Sequence, residues 1–283
     1  MRSASDTITG QPPESAAVGI WPEVAKGAPL IQIEGLTIAY GSFVLMHGIE
    51  CTINKGDIFV IMGGSGCGKT TLMRAMIGLK APAKGRVVYD QTSFWDADEA
   101  MRTSLVQRMG VLYQQGALWS SMTLAENVAL PIGEYTNLTA AEIKDLVSFK
   151  LALVGLAGFD DYYPSEISGG MRKRAGLARA IALDPEVLFF DEPSAGLDPI
   201  SSRRLDDLIL ALSESLGATV VMVTHELPSI FAIANNSIFL DAETRTQLAT
   251  GNPSDLLANT TEPKVRTFLT RGEATPATEP ETP

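Results

Sequence analysis

Two cysteines in 283 residues, Cys51 and Cys67, are too few for a disulfide framework, and a reducing cytoplasm is the natural home for such a chain. No apolar run approaches the roughly 18 residues that a membrane span requires, and no basic segment followed by an apolar one opens the N-terminus. The expected protein is soluble or peripheral, so that any membrane role comes through a partner. Basic residues are also in short supply. The formal net charge is −11, and the tails do not account for it: residues 1 to 26 hold two basic and three acidic residues, residues 271 to 283 one and three, leaving 19 against 27 on the body. An acidic body argues against nucleic acid as the main partner. There is no internal repeat. The remaining composition, 45% hydrophobic and 19% charged, is that of a globular chain with one large domain or a domain with a subdomain.

One stretch carries most of the chemistry. Gly63-Gly64-Ser65-Gly66-Cys67-Gly68-Lys69-Thr70 has a glycine, four variable residues and then Gly-Lys-Thr, with Thr71 directly after. Asp57 to Met62 before it is an apolar run of strand length, and Leu72 to Ile77 after it reads as a helix. Strand, glycine turn and helix in that order form a phosphate cradle. Glycines let successive backbone N–H groups turn toward phosphate oxygens, and the helix start adds its positive end. Lys69 supplies a point charge and the Thr70 hydroxyl a ligand for Mg²⁺.

Around this loop the chain alternates strands and helices. Residues 1–28 and the end of the chain from about Gly272 are rich in Ser, Thr, Pro, Gly and Ala, and are expected to be disordered. Leu36, Ile38 and Tyr40 alternate before Gly41-Ser42, and a second strand covers Met46 to Ile53. Short strands are expected over Arg86 to Asp90 and Arg108 to Tyr113. From Thr123 to Gly158 the spacing becomes helical, with polar breaks at Gly133 to Thr136 and a capping box at Thr139 to Glu142. That order predicts a helical subdomain, about residues 115–167, inserted in an α/β core. Ser168 opens a helix to Leu183. Val187 to Phe190 is a continuous apolar run, as a buried parallel strand requires, and it ends in Asp191-Glu192-Pro193. Asp198 and Pro199 start a helix to Leu216, and Ala218 to Val223 is the next buried strand, ending at Thr224-His225. The expected fold is α/β with an open, mainly parallel sheet, an antiparallel β portion and the helical insert.

Asp191 and Glu192, at the end of a buried strand, form the second signal. The first carboxylate suits Mg²⁺ and the second suits a water-activating base; alone, the pair could equally cap the following helix. His225 ends the next strand and is placed to reach a γ-phosphate, whereas no role is found for His47. Ile167-Ser168-Gly169-Gly170-Met171 puts a hydroxyl and glycine amides at a helix start, which makes a second anion-binding terminus in one chain.

The phosphate loop, Gln114, Ser168-Gly169-Gly170, Val187 to Glu192, Ser194 to Asp198 and His225 fall in the order and approximate spacing of ABC-transporter ATPase subunits. The resemblance covers about residues 30–260 and places an ABC-type domain at 29–260 with a C-terminal extension at 261–283. It implies a head-to-tail dimer of two copies with two ATP molecules sandwiched between them. By the same resemblance Tyr40 stacks on adenine and Lys69 holds the β- and γ-phosphates. Thr70, Gln114 and Asp191 surround Mg²⁺. Glu192 is the general base, His225 the γ-phosphate sensor and Asp198 part of a coupling loop. Ser168, Gly169 and Gly170 close on the γ-phosphate of the partner copy. Tyr40 also fits a core strand, and Gln114 alone is only a surface amide.

Two local features sharpen or depart from that pattern. Met171 stands where the family usually has glutamine and cannot make its polar contact. Arg172, Lys173 and Arg174 crowd the start of a helix whose dipole opposes them by about 0.3–1 kcal/mol per exposed charge. They read either as a solvated face with distant counter-charges or as part of a narrower likeness. Ser168 to Arg174, Gln115 to Trp119 and Glu126 to Pro131 resemble the MlaF and Mkl type of ATPase. That likeness implies lipid transport at the cytoplasmic face of the inner membrane, with an MlaE-like permease, an MCE-domain protein and a small regulatory subunit as partners. The rivals are the same ATPase serving a solute importer or exporter, a soluble ABC ATPase acting on DNA or ribosomes, and a nucleotide kinase. A kinase leaves Ser168-Gly169-Gly170 and His225 unexplained.

Overall fold

The computed structural model describes residues 27–272. Most of both expected disordered tails lies outside that range. Gly27 and Ala28, within the expected N-terminal tail, are tied down: the Gly27 amide donates to the Lys55 carbonyl (3.0 Å) and the Lys55 amide to that of Ala28 (2.8 Å).

Two sheets organise the chain. The first is antiparallel and contains β1 (Pro29–Tyr40), β2 (Phe43–Asn54), β4 (Lys84–Tyr89) and β5 (Thr92–Ser93) in the order β2-β1-β4-β5. Ile31 and Ile33 face inward with period two, but Leu36 and Ile38 are out of phase with them. A register shift between Ile33 and Leu36, with Gly35 at φ 55°, resets the phase so that all four are buried. The second sheet contains β3 (Ile58–Gly63), β6 (Met109–Leu112), β7 (Val187–Asp191), β8 (Thr219–Val223), β9 (Asn236–Asp241) and β10 (Thr246–Thr250), ordered β10-β9-β3-β8-β7-β6. Its pairs are parallel except that of β9 with β10.

The second sheet is covered on both faces, which explains why β3 and β8 are buried along their whole length and show no alternation in polarity. Ile58, Val60 and Met62 enter one core with the helices, whereas Phe59 and Ile61 enter the other with the first sheet. The phosphate-loop helix α1 (Lys69–Met76) lies in the latter core through Leu72, Met73, Ala75 and Met76. Opposite it pack α3 (Leu124–Tyr135), α4 (Ala140–Leu153), α5 (Gly169–Ala180), α6 (Pro199–Leu216), α7 (Leu227–Ile233) and α9 (Pro263–Leu269); α2 (Glu99–Gln107) and α8 (Pro253–Asn259) complete the set.

The expected elements are present with shifted limits. The helix opened by Ser168 ends at Ala180 rather than Leu183, and α3 runs through Gly133 to Tyr135 with Pro131 inside it, so the expected break begins only at Thr136. Capping boxes start both insert helices, Thr123 with Glu126 and Thr139 with Glu142. Pro131 is the eighth residue of α3, so the helix lacks the bond that an amide there would make to the Asn127 carbonyl, and only Ile132 to Tyr135 follow before the helix ends.

The two sheets are pinned together by charge. Arg108, just before β6, binds Asp90 at the end of the first sheet and Glu186 at the start of β7, and Lys55 reaches the other Glu186 oxygen at 3.2 Å. Glu186 is buried, so removing Arg108 would leave its charge to the more distant Lys55 ammonium alone. Arg108→Met is expected to lower unfolding free energy by about 3–5 kcal/mol, read from urea unfolding of the purified chain. A loss below about 1 kcal/mol would reduce the cluster to a surface pair.

Candidate functional site

Parallel register brings the functional side chains to one edge. Ile61 of β3 pairs with Val223 of β8, and Val223 with Asp191 of β7, so three strands end at the same level. Each releases its next residues at the carboxyl edge of the sheet, where open α/β sheets bind ligands. From β3 comes the phosphate loop, from β7 Glu192, and from β8 His225.

The loop has no room for side chains at its turning points. Gly63 has φ 144°, and a Cβ there would stand 2.3 Å from the Leu240 carbonyl oxygen of neighbouring β9. Gly68 has φ 98° and is the N-cap of α1, with no side chain capping the helix amides. Those amides are left for an anion. The Lys69 ammonium folds back to donate to the carbonyls of Gly63 (3.0 Å) and Gly64 (2.9 Å). Behind the loop, the buried Cys67 sulfur fills space, and burial pushes its thiol above the usual range, so it is protonated packing. The far end of α1 is held too. Tyr89 donates to the Met76 carbonyl (3.0 Å) and Trp95 Nε1 to that of Ala75 (3.1 Å), satisfying carbonyls that the helix cannot.

Next to the loop, the Thr70 hydroxyl donates to Asp191 Oδ1 at 2.9 Å. A hydroxyl and a carboxylate are hard oxygen donors of the kind that suit Mg²⁺. Glu192 adopts φ 51°, unusual for a residue with a side chain. Its Oε1 lies 2.8 Å from His225 Nδ1, while its Oε2 is buried without a partner. A buried carboxylate oxygen left unsatisfied is costly, and a water molecule or substrate group in the cleft would relieve it. Lys69, Thr70, Thr71, Glu192 and His225 line a common cleft of about 570 Å³ with the loop glycines Gly63, Gly64, Gly66 and Gly68 and with Ser65.

Not all of the expected site residues meet there. Tyr40 ends β1 and is half exposed, which removes the core-strand reading; the Lys80 ammonium lies 4.3 Å from its ring centroid. Gln114 is exposed just beyond β6 and is not on the cleft wall. Ser168 caps α5 by accepting from the Met171 amide (3.2 Å), and with Gly170 it lines a different cleft, of about 510 Å³, beside Met171, Arg174 and Leu197. Within one chain, therefore, the two helix starts expected to bind anions open onto separate clefts. Met171 packs against the helical core, so its side chain serves packing where the family's glutamine is polar.

The basic run at the start of α5 is not a solvated face with distant counter-charges. Its hydrogen bonds go to backbone carbonyls: Arg172 to Ile167, Arg174 to Val154 and Gly155 at the C-terminus of α4, and Lys173 to Pro193 and Ala195. Arg174 thus complements the negative end of another helix while opposing its own. Two cleft residues carry no motif at all. Leu45 comes from β2 and Phe268 from α9, where Phe268 packs edge-on against Phe239 with centroids 5.3 Å apart. The only signal for either was apolar character, which they share with dozens of core residues.

A lysine and threonine loop that starts a helix at the carboxyl edge of a parallel sheet, beside a strand-end carboxylate, defines the class: a phosphate-loop nucleotide hydrolase. The model of the family described as ABC transporter matches residues 46–195, and the chain belongs to this family, whose ATPase subunits hydrolyse ATP, as this chain does. Among similar proteins is the probable ribonucleotide transport ATP-binding protein mkl of Mycobacterium bovis, 40% identical over 86% of this chain and 68% of that protein. Another is the intermembrane phospholipid transport system ATP-binding protein MlaF of Escherichia coli, 39% identical over 86% of this chain and 89% of that one. Of solved structures, cbiO1 of Clostridium perfringens, part of the complex cbiONQ, matches with a TM-score of 0.75 at 26% identity, covering 82% and 92% of the two chains. The bacterial cassette MJ0796, solved as a dimer, matches with a TM-score of 0.72 at 27% identity, covering 79% and 98%. No helix among the described residues is long and apolar enough to cross a membrane.

The glycine geometry makes a direct demand. Gly63→Ala forces a methyl group into the Leu240 carbonyl, and Gly64→Ala meets nothing within 4 Å. The first is expected to cost about 1–3 kcal/mol of stability and to weaken binding of a fluorescent ATP analogue; the second should leave the melting temperature unchanged. Equal melting of the two proteins would contradict the close approach.

Proposed function

We propose that this ATPase works as one half of a head-to-tail pair of identical chains that closes on two ATP molecules, drives a membrane permease and reopens on hydrolysis. The observation that carries the reading is the separation of the two anion-binding helix starts onto different clefts. Each α5 start then needs a phosphate held by another copy, and the MJ0796 dimer supports the pairing.

In this reading Lys69 and the amides of Gly63 to Thr71 grip the β- and γ-phosphates, and Tyr40 stacks on adenine once Lys80 gives way. Thr70, Asp191 and Gln114 hold Mg²⁺, with Gln114 brought in as the cleft closes. When bound, the ion neutralises charge on the phosphate oxygens. Glu192 accepts a proton from water as the water oxygen attacks the γ-phosphorus and ADP leaves. His225, bonded to the other oxygen of that carboxylate, orients it and meets the γ-phosphate. Ser168, Gly169 and Gly170 of the second copy complete the phosphate shell, and Asp198 couples the two sites.

The permease is proposed to dock on the helical insert. An open groove of about 550 Å³ lies between β6, α3 and α5, walled by Val111, Leu130, Pro131 and Tyr135 among others. Leu130 and Tyr135 are nearly half exposed, an apolar surface suited to a partner helix. For cargo we propose phospholipid or another lipid. An MlaE-like permease, an MCE-domain protein and a small regulatory subunit are the proposed partners, with no nucleic acid, at the cytoplasmic face of the inner membrane. The similarity to MlaF over 89% of its length supports this. The similarity to mkl, a probable ribonucleotide transport ATP-binding protein, favours a second reading, in which the cargo is a ribonucleotide.

Glu192→Gln should lower the hydrolysis rate by about 10²–10⁴-fold while an ATP-bound dimer accumulates in size-exclusion chromatography. Lys69→Ala should abolish both hydrolysis and ATP-driven dimerisation. Wild-type turnover by the first protein would remove Glu192 from the mechanism, and closure of the second on ATP would remove the phosphate loop from dimerisation. The membrane complex purified through this chain should contain an MCE-domain protein and bound lipid; a complex lacking both and transporting ribonucleotides would favour the second reading.

A further inference from the structure

Lys173 is a buried lysine, 7% exposed, in the second turn of α5. Its ammonium makes no ion pair among the described residues. Instead it donates to two main-chain carbonyls, Pro193 and Ala195, both at 2.6 Å. Burial draws its pKa down, offset in part by the fields of Glu226 and Glu192. Taking an ammonium out of water costs several kcal/mol, and an apolar side chain of similar volume is often as stable in such a place. Two neutral acceptors are a weak return unless the turn they belong to must be held.

That turn directly follows Glu192. Pro193 and Ala195 flank Ser194, whose buried hydroxyl has no partner, and Glu192 itself sits in the left-handed region at φ 51°. A conformation of this kind costs about 1–3 kcal/mol and persists only when its surroundings over-determine it. The Glu192 amide is held by the Val223 carbonyl (2.9 Å), and the Ala195 amide returns to the Glu192 carbonyl at 3.2 Å. The Leu197 amide donates to the Ser194 carbonyl (3.0 Å), and Lys173 adds a hold from another element.

We infer that Lys173 is a positioning residue for Glu192: it clamps the turn 193–195 so that the carboxylate faces the cleft with one oxygen free for water. Because Lys173 stands on the helix that Ser168 opens, α5 joins the phosphate-binding start offered to the partner copy to the base of its own copy. A displacement of α5 on closure is thereby transmitted to Glu192 through one ammonium.

The inference rests on Glu192 being the base, and the test separates the two. Lys173→Met and Lys173→Arg are compared with Glu192→Gln in the full chain, together with the membrane partners that purify with it. The readouts are kcat and KM for ATP, affinity for a fluorescent ATP analogue, and amide hydrogen exchange without nucleotide. Lys173→Met should keep KM and affinity within about twofold while kcat falls about 10- to 100-fold, the pattern of a misplaced group rather than lost binding. The amides of Ala195 and Leu197 should exchange faster, with those of α5 unchanged. Lys173→Arg should recover most of kcat. Wild-type kcat in Lys173→Met overturns the inference, as does a parallel loss of kcat, affinity and α5 protection that arginine does not rescue. If the methionine protein does not fold, Lys173→Gln, which keeps a donor but not the reach, takes its place with the same two outcomes. Full activity of Glu192→Gln would instead sink the assignment of the base, while an inactive Glu192→Gln beside a normal Lys173→Met would sink only the role of Lys173.

Discussion

The parallel register of β3, β8 and β7 is the constraint on which everything else depends. Three strands buried on both faces cannot slip by one residue without exchanging the contents of two cores, because Phe59 and Ile61 belong to one and Val60 and Met62 to the other. Apolar packing on both sides thus sets the level at which three polar strand ends emerge. Thr70 meets Asp191, and Glu192 meets His225, at distances that no local sequence feature determines. The precision of the polar site is inherited from the hydrophobic interior.

Much of this was legible in the residues. The phosphate loop, the apolar strands and the capped helices each carry a short-range signal with a physical cause, and those elements appear where expected, with ends moved by a few residues. Other parts were not legible, and for identifiable reasons. No element is expected between Asp90 and Arg108, yet β5 and α2 form there, with α2 capped by Asp98 and burying Leu105. A helix with so narrow a buried stripe leaves little periodicity. Phe268 was invisible for the opposite reason, since nothing distinguishes one phenylalanine on the wall of a cleft from those in the core. Ser168 to Gly170 was correctly singled out, but its distance from the phosphate loop emerges only from the tertiary arrangement.

The cations of α5 show how local rules are overridden. Arg172, Lys173 and Arg174 oppose their own helix dipole, and a count of charge along the sequence could not explain them. In the fold Arg172 binds the Ile167 carbonyl just before the helix, while Lys173 and Arg174 reach carbonyls of other segments, the turn after Glu192 and the end of α4; Arg179, in the last turn, reaches those of Gly116 and Ala117. The unfavourable position within α5 is offset by hydrogen bonds to groups that would otherwise be unsatisfied. One helix therefore ties the insert, the segment after Gln114 and the edge of the main sheet into a single mechanical unit.

Phe268 has a consequence for where the functional unit ends. The family match stops at residue 195 and the last motif at His225, yet a wall of the phosphate cleft comes from α9, which is fastened by Lys264 to Asp241 and Glu243 and by buried Val265 and Leu269. A chain cut after β10 would hold every recognisable motif and still present a cleft open on one side. The boundary of the cleft is thus drawn by a phenylalanine more than forty residues past His225.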